Sequence, residues 1–210
     1  MEIRIQKHLS EQGICSRREA ERFIAQGLVY LNGVQVREFG VKVDPLKDKV
    51  EVRDSAKRAL TTYAVHKKSD TESLKTVSQK PLGGHFFVDE LPKTSSGILL
   101  YTNDSRLKKA LQSGGDCVAT FTVFTQESIV PAQIEEACSS GRRGEVVALE
   151  AKRLDAHELR IKIPFFESSR IRELLERVRL TPTKIVRSQI GAIKFVEGKQ
   201  AVEIDPTLLF

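Results

Sequence analysis

The chain has 210 residues, enough for one ordinary domain and a smaller companion. Its content, 30% charged and 40% hydrophobic, is that of a globular protein with a packed core, and no apolar run approaches the ~18 residues of a membrane span, so no membrane partner is expected. A net charge of +6 favours a polyanionic partner, because lysine and arginine that neutralise phosphates release condensed counterions.

The first ten residues, Met1 to Ser10, are mixed and charged without the apolar core of a signal peptide, and the expected location is the cytoplasm. Cys15, Cys117 and Cys138 are odd in number, far apart and without zinc-ligand spacing. They are expected to be reduced thiols, and no metal is expected. His8, His66, His85 and His157 have no mutual spacing that suggests a ligand set.

In chain order, Ile3, Ile5 and Leu9 place an apolar stripe on a short helix ending near Gly13, with Arg4 and Lys7 on its other faces. Ser16-Arg17-Arg18-Glu19 is a capping box, in which the serine hydroxyl and the glutamate satisfy each other's backbone amides. It starts a second helix with Ala20, Phe23 and Ile24 inward, closed by Gly27. Leu28 to Leu31 turns to strand spacing, and Asn32-Gly33 is a hairpin signal because both turn residues must take positive φ; Val34 and Val36 form the return strand. Strands are also expected at Val41-Lys42-Val43 and Lys49 to Val52.

Arg17 and Arg18 occupy the first helical turn, where each cation is unfavourable to the helix dipole by ~0.3–1 kcal/mol. A bound phosphate would neutralise both the arginines and the positive helix end. The order of helix, capped basic helix, Asn-Gly hairpin and two further strands resembles the RNA-binding domain named after the fourth small-subunit ribosomal protein, over nearly all of residues 3–53. The resemblance implies that Arg4, Lys7, Ser16, Arg17, Arg18, Asn32 and Gly33 form or border an RNA-binding face that reads shape and backbone, since the major groove of A-form RNA is hard to read.

Residues 54–62 are polar and aperiodic and read as a linker, giving domains at 1–53 and 63–210. Gly97 to Tyr101 is an apolar run ended by Thr102-Asn103-Asp104, which suits a buried strand leading into a helix from Ser105 to Gln112. Cys117 to Phe124 alternates as a half-buried strand. Ala132 to Cys138 is expected to be helical, Val146 to Leu149 and Leu159 to Ile163 to be strands, and Ser169 to Val178 a helix with Ile171, Leu174 and Leu175 inward. The fold class is α+β: a small amino-terminal αβ domain followed by a mixed-sheet domain.

The second domain carries its own resemblance. Thr94-Ser-Ser-Gly97-Ile-Leu-Leu-Tyr-Thr-Asn-Asp104 is similar to the ribosomal-RNA pseudouridine synthases of the small-subunit type. Tyr63 to Lys68, Arg170-Ile-Arg172-Glu-Leu174 and Arg187 to Phe195 match further landmarks of that family in order and spacing. Such enzymes detach a uracil from its sugar and rejoin it through a ring carbon, using one aspartate and neither metal nor cofactor. In the family this aspartate ends a Gly-Arg-Leu-Asp motif five residues before the glycine matched by Gly97. Counting back places Pro92 at the nucleophile and Glu90 at the arginine of the motif. Proline can neither attack nor hydrogen-bond through its side chain.

Other positions depart as well. The family's base-stacking tyrosine is Phe121, while Arg172 remains at the position of its pocket arginine. Asp89, three residues before Pro92, is the fallback nucleophile, since a carboxylate is anionic at neutral pH. Asp104 belongs to the turn that active members also possess and is expected to cap it. The expected function is a non-catalytic RNA-binding protein of this family, acting on ribosomal RNA during ribosome assembly and needing no small-molecule cofactor. One alternative is an active isomerase of uridine in RNA with Asp89 displaced into the nucleophile's place. Another is an RNA-tethered interaction or translation factor with a protein partner.

Overall fold

The computed structural model describes residues 2–53, 60–72, 84–139, 144–194 and 201–210. Most of the expected linker, 54–59, lies outside the described residues, and Thr62 already opens a strand. The chain divides into two compact units: the described residues of 1–61, 81–86 and 102–109, and those of 62–80, 87–101 and 110–210.

In the first unit, β1 (Ile3–Arg4) pairs antiparallel with β4 (Lys42–Val43) before α1 (Ile5–Glu11) begins. Ile3 is therefore in a strand opposite Val43, not on the expected helix, and Arg4 is the exposed residue that precedes α1. The apolar spacing from Ile3 misled because Ile5 and Leu9 are the helix's buried apolar contribution, while Ile3 packs from the strand. Gly13 takes φ +67° after the helix, as its position past the terminus requires. Next comes α2 (Arg17–Ala25), with both halves of the capping box formed: Ser16 Oγ accepts from the Glu19 amide, and Glu19 Oε2 accepts from the Ser16 amide at 3.1 Å. Ala20 and Ile24 are buried, and Phe23 is partly so.

The sheet of this unit has the order β3 (Val34–Gln35), β2 (Val29–Leu31), β5 (Val50–Val52). Asn32 and Gly33 turn the hairpin with φ of 50° and 84°, the two positive values the pair was expected to supply. The core is Ile5 and Leu9 of α1, Ala20 and Ile24 of α2, Val29 of β2, Val43 of β4 and Val52 of β5, with Cys15 and Val36 from the connections.

The second unit is built on a mixed sheet of order β10 (Glu150–Asp155), β11 (Glu158–Pro164), β9 (Val118–Thr125), β12 (Pro182–Ile190), β8 (Ser95–Thr102), β6 (Thr62–Lys67), β14 (Ala201–Glu203). β7 (Phe86–Phe87) pairs with β8, and β13 (Ile193–Lys194) with β12. Every residue of β8 is buried, as its unbroken apolar run suggests. β12 runs parallel to β8, with Arg187 level with Gly97, and antiparallel to β9, with Arg187 level with Phe121. The helices are α3 (Ser105–Gln112), α4 (Pro131–Cys138) and α5 (Ile171–Arg177), the last preceded by a 3-10 helix over Phe165–Arg170. Ile171, Leu174 and Leu175 are buried as expected, although the α-helix starts two residues later than its pattern implies.

The expected strand at Val146 to Leu149 is absent; the strand is β10, one residue further on. Val146 and Ala148 are apolar because they are buried, and the Ala148 amide donates to Ala137 at the end of α4, while β10 is an edge strand of mostly exposed residues with no alternation to read.

Gly97 is fixed by its neighbour strand. Its φ is +121°, and a Cβ there would lie 2.6 Å from the Arg187 nitrogen and 2.8 Å from its carbonyl carbon, both backbone atoms that cannot step aside. Gly97→Ala should cost at least ~2 kcal/mol, a fall in Tm of roughly 4–8 °C for a chain of this length, measurable by thermal unfolding.

All three cysteines are free thiols. Burial, aided by the Glu19 charge, pushes the Cys15 thiol up to about 12. Cys117 is pushed up to about 11 by burial, with the Arg187 charge pulling the other way. Thiolate is scarce at both until strongly alkaline pH. At pH 8 an aromatic disulfide reagent should titrate one thiol, the exposed Cys138, in the native protein and all three in denaturant.

Candidate active site and RNA-binding face

Arg187 is the largest fully buried side chain among the described residues. It stands on the inward face of β12, two residues after the buried Ile185, level with Phe121 and Ile161 on the neighbouring strands. A guanidinium so placed has to be paired, because stranding the charge would cost several kcal/mol. The partner is Asp89. Arg187 Nη2 donates to Asp89 Oδ1 at 3.0 Å, and Nη1 donates to Oδ2, a bidentate ion pair. The remaining Nε donates to the Ile98 carbonyl at 2.7 Å, and the guanidinium lies 5.4 Å from the centre of the Phe165 ring. Ser168, from the 3-10 helix, accepts from Arg187 Nη1 at 3.1 Å and donates to Asp89 Oδ2 at 3.2 Å.

The two charges differ in exposure. The Arg187 side chain is 0% exposed and that of Asp89 13%, so the carboxylate forms the accessible end of an otherwise enclosed pair. Asp89 is held from behind by Val88, whose amide donates to Leu100 of β8 and whose carbonyl accepts from Gln112 of α3. A rigid, hydrogen-bonded carboxylate at the edge of an apolar interior can act as a nucleophile or as a counter-charge to a developing cation.

Pro92 is not at this centre. Its carbonyl accepts from the Ser95 amide at 2.9 Å, closing a turn, and Glu90 is exposed. The family's spacing of five residues before Gly97 falls on Pro92, while the carboxylate paired with Arg187 is Asp89, eight positions before Gly97. Phe121 is level with Arg187 and wholly buried. Arg172, on α5, donates to Thr94 Oγ1 at 2.6 Å and so touches the same turn. Asp104 accepts from the Arg106 amide and caps α3, the role expected for it.

Sequence reasoning missed Arg187 and Ser168 as site residues. The signal for Arg187 was an arginine at an inward position of an apolar strand, Ile185-Val186-Arg187. Ser168 carried none.

In the first unit, Arg17 and Arg18 are exposed on the opening turn of α2 and Arg4 is exposed ahead of α1. Lys7 is bridged to Glu11 at 3.7 Å. Ser16 is occupied with its cap. Asn32 is exposed, and its side chain is oriented by two bonds: Nδ2 donates to Asp48 at 2.9 Å and Oδ1 accepts from the Lys49 amide at 2.8 Å. That bond to Asn32 also holds the Asp48 carboxyl below its ordinary pKa. Gly33 is exposed, with φ +84°. The exposed arginines can meet phosphates.

Comparisons with known proteins agree with this geometry. Residues 3–49 match the S4 domain model. The chain is 30% identical over 222 aligned positions to an uncharacterized RNA pseudouridine synthase of Mycobacterium leprae, covering 91% of this chain and 84% of that protein. It is 38% identical over 120 positions to an uncharacterized RNA pseudouridine synthase of Aquifex aeolicus, a match spanning 51% of this chain and about half, 48%, of that relative. It is 33% identical over 141 positions to the dual-specificity RNA pseudouridine synthase RluF of Escherichia coli K12, covering 60% of this chain and 48% of that protein. The fold is that of a crystal structure of a pseudouridylate synthase, with TM-score 0.68 and 15% identity over 99% of this chain and 98% of that one. The chain belongs to the RNA pseudouridine synthase family and carries an amino-terminal S4 domain of the RNA-binding kind.

Replacing Arg17 and Arg18 together by alanine should weaken binding to all structured RNAs alike and reduce the slope of log K against log salt by about 1 to 2, measured by filter binding at several salt concentrations.

Proposed function

We propose that the protein is a uridine isomerase acting on ribosomal RNA, with Asp89 as the reacting carboxylate. The observation that carries this reading is the bidentate Asp89–Arg187 pair, whose arginine is enclosed while its carboxylate keeps an accessible edge. Buried ion pairs contribute little to stability when compared with apolar packing, and this one gathers Ser168 and the Ile98 carbonyl around a single acid. Arg187 fixes the orientation of the acid, and the buried Phe165 ring packs beside the guanidinium.

The isomerisation is self-contained. The bond from uracil N1 to sugar C1′ breaks, a bond from C5 to C1′ forms, and the proton leaving C5 is balanced by one taken up at N1. No oxidant, reductant or leaving group is consumed, and the acid has only to attack or to offset the positive charge that develops as the first bond opens. The target nucleotide has to leave its stack to meet a carboxylate at the edge of a sheet. The exposed arginines of the first unit supply salt-sensitive affinity for structured RNA. A reducing, cytoplasmic location is part of the proposal, in keeping with three unpaired thiols.

A second reading, an RNA-binding protein without turnover, is favoured by Pro92, which stands where the family's spacing from Gly97 puts the nucleophile. Pseudouridine formation on unmodified ribosomal RNA separates the two. The wild-type protein should form product, and Asp89→Asn should lower the rate by about 1000-fold or more while its affinity for the RNA changes less than about 3-fold. RNA binding without product from the wild type would establish the second reading.

A further inference from the structure

The first unit contains an open cleft of about 580 Å³, within the size range of sites that take small organic groups. Ile14, Val50 and Val52 give it apolar walls. Its polar groups come from Tyr30, Glu51 and Arg53. Tyr30 and Glu51 stand directly opposite each other on β2 and β5 and so project from one face of the sheet. Arg53 extends that pairing, its amide donating to the Leu28 carbonyl at 3.0 Å, and its guanidinium lies 4.4 Å from the centre of the Tyr30 ring. Arg53 is exposed and Tyr30 half-buried, so this cation–aromatic pair is open to a ligand.

A guanidinium beside a ring can meet a phosphate or stack on a base, and the rest of the cleft decides between them. Glu51, bridged to Lys49 at 2.7 Å, puts a carboxylate in the same cleft, and a carboxylate repels phosphate. The apolar walls likewise offer nothing to an anion. A nucleobase fits both features: its faces are apolar and polarisable, and an amino group on its edge donates to a carboxylate. Position identifies the source of the base. Ile14 is three residues before Arg17, at most ~11 Å away along the chain, and Gly33 belongs to the Asn-Gly turn, where a Cβ would meet nothing within 4 Å. RNA whose phosphates meet Arg17 and Arg18 therefore passes close to the cleft.

We propose that this cleft takes an unpaired base of the bound RNA, stacked against the Tyr30–Arg53 pair with its amino edge turned to Glu51, so that the first unit recognises the boundary between an RNA helix and a single strand. The proposal rests on that unit meeting RNA through Arg17 and Arg18, and it is independent of the chemistry at Asp89.

The test uses the whole chain and three RNAs built on one hairpin. The first is blunt, the second carries short single-stranded adenosine tails on both ends, and the third carries abasic tails of equal length, which keep the phosphates and remove the bases. In filter binding the wild type should hold the adenosine-tailed RNA about 10-fold more tightly than the abasic-tailed one. Tyr30→Leu should bring that ratio to within about 2-fold, and so should Arg53→Lys, which keeps the charge and removes the planar guanidinium; affinity for the blunt hairpin should stay within about 3-fold of wild type in both. A wild-type ratio near 1 would overturn the base site, as would a ratio that Arg53→Lys leaves unchanged. Equal loss of affinity for all three RNAs in the two variants would also overturn it, since the pair would then serve the fold or the phosphates. Failure of the wild type to bind any of the three, or binding untouched when Arg17 and Arg18 are both replaced by alanine, would instead remove the reading on which the proposal rests.

Discussion

Enclosing a guanidinium in the middle of a β-sheet is tolerable only if every donor finds an acceptor and the charge finds a counter-charge, and this requirement organises the second unit around Arg187. Its acceptors come from Asp89 after β7, from Ile98 in β8 and from Ser168 in the 3-10 helix, so three distant stretches must meet at one strand. The parallel pairing of β12 with β8 brings the first two within reach. The absence of a side chain at Gly97 lets the strands close, and the register shift between Arg187 and Gln189 changes the pairing with β9 just beyond the ion pair.

The two units divide the physical tasks expected of an RNA-modifying protein. The first presents cations on a helix whose amino-terminal amides are already served by the Ser16–Glu19 box, so α2 does not depend on a ligand to be capped. Its Asn-Gly turn is locked by Asp48 and Lys49, which makes the hairpin a rigid neighbour of the arginines. The second unit keeps its charged chemistry inside, where orientation is fixed by packing.

Features that depend on neighbours in sequence were legible: the capping box, the Asn-Gly turn, the apolar run of β8 and the inward positions of α5. Each follows from local backbone geometry or from a periodicity of two or 3.6 residues. The ion pair was not, because its partners are separated by 98 residues and only the sheet order brings them together. Counting back from Gly97 reaches Pro92, whereas the carboxylate that pairs with Arg187 is Asp89, three residues earlier, and no spacing in the sequence marks it. Phe121 was expected on a half-buried strand, but its register opposite Arg187 depends on sheet order and was not legible. Edge strand β10 lacked any apolar alternation, and the buried Val146 and Ala148 beside it supplied a false one.

The different burial of the two charged sites makes ionic strength a selective control. Mobile ions screen the exposed arginines of α2 within about 10 Å at 0.1 M salt, whereas they do not enter the space between Arg187 and Asp89. Raising salt therefore strips RNA from the protein while leaving the carboxylate in its reactive orientation. The same change of solution therefore separates the outer charges, which face solvent, from the inner pair, which does not.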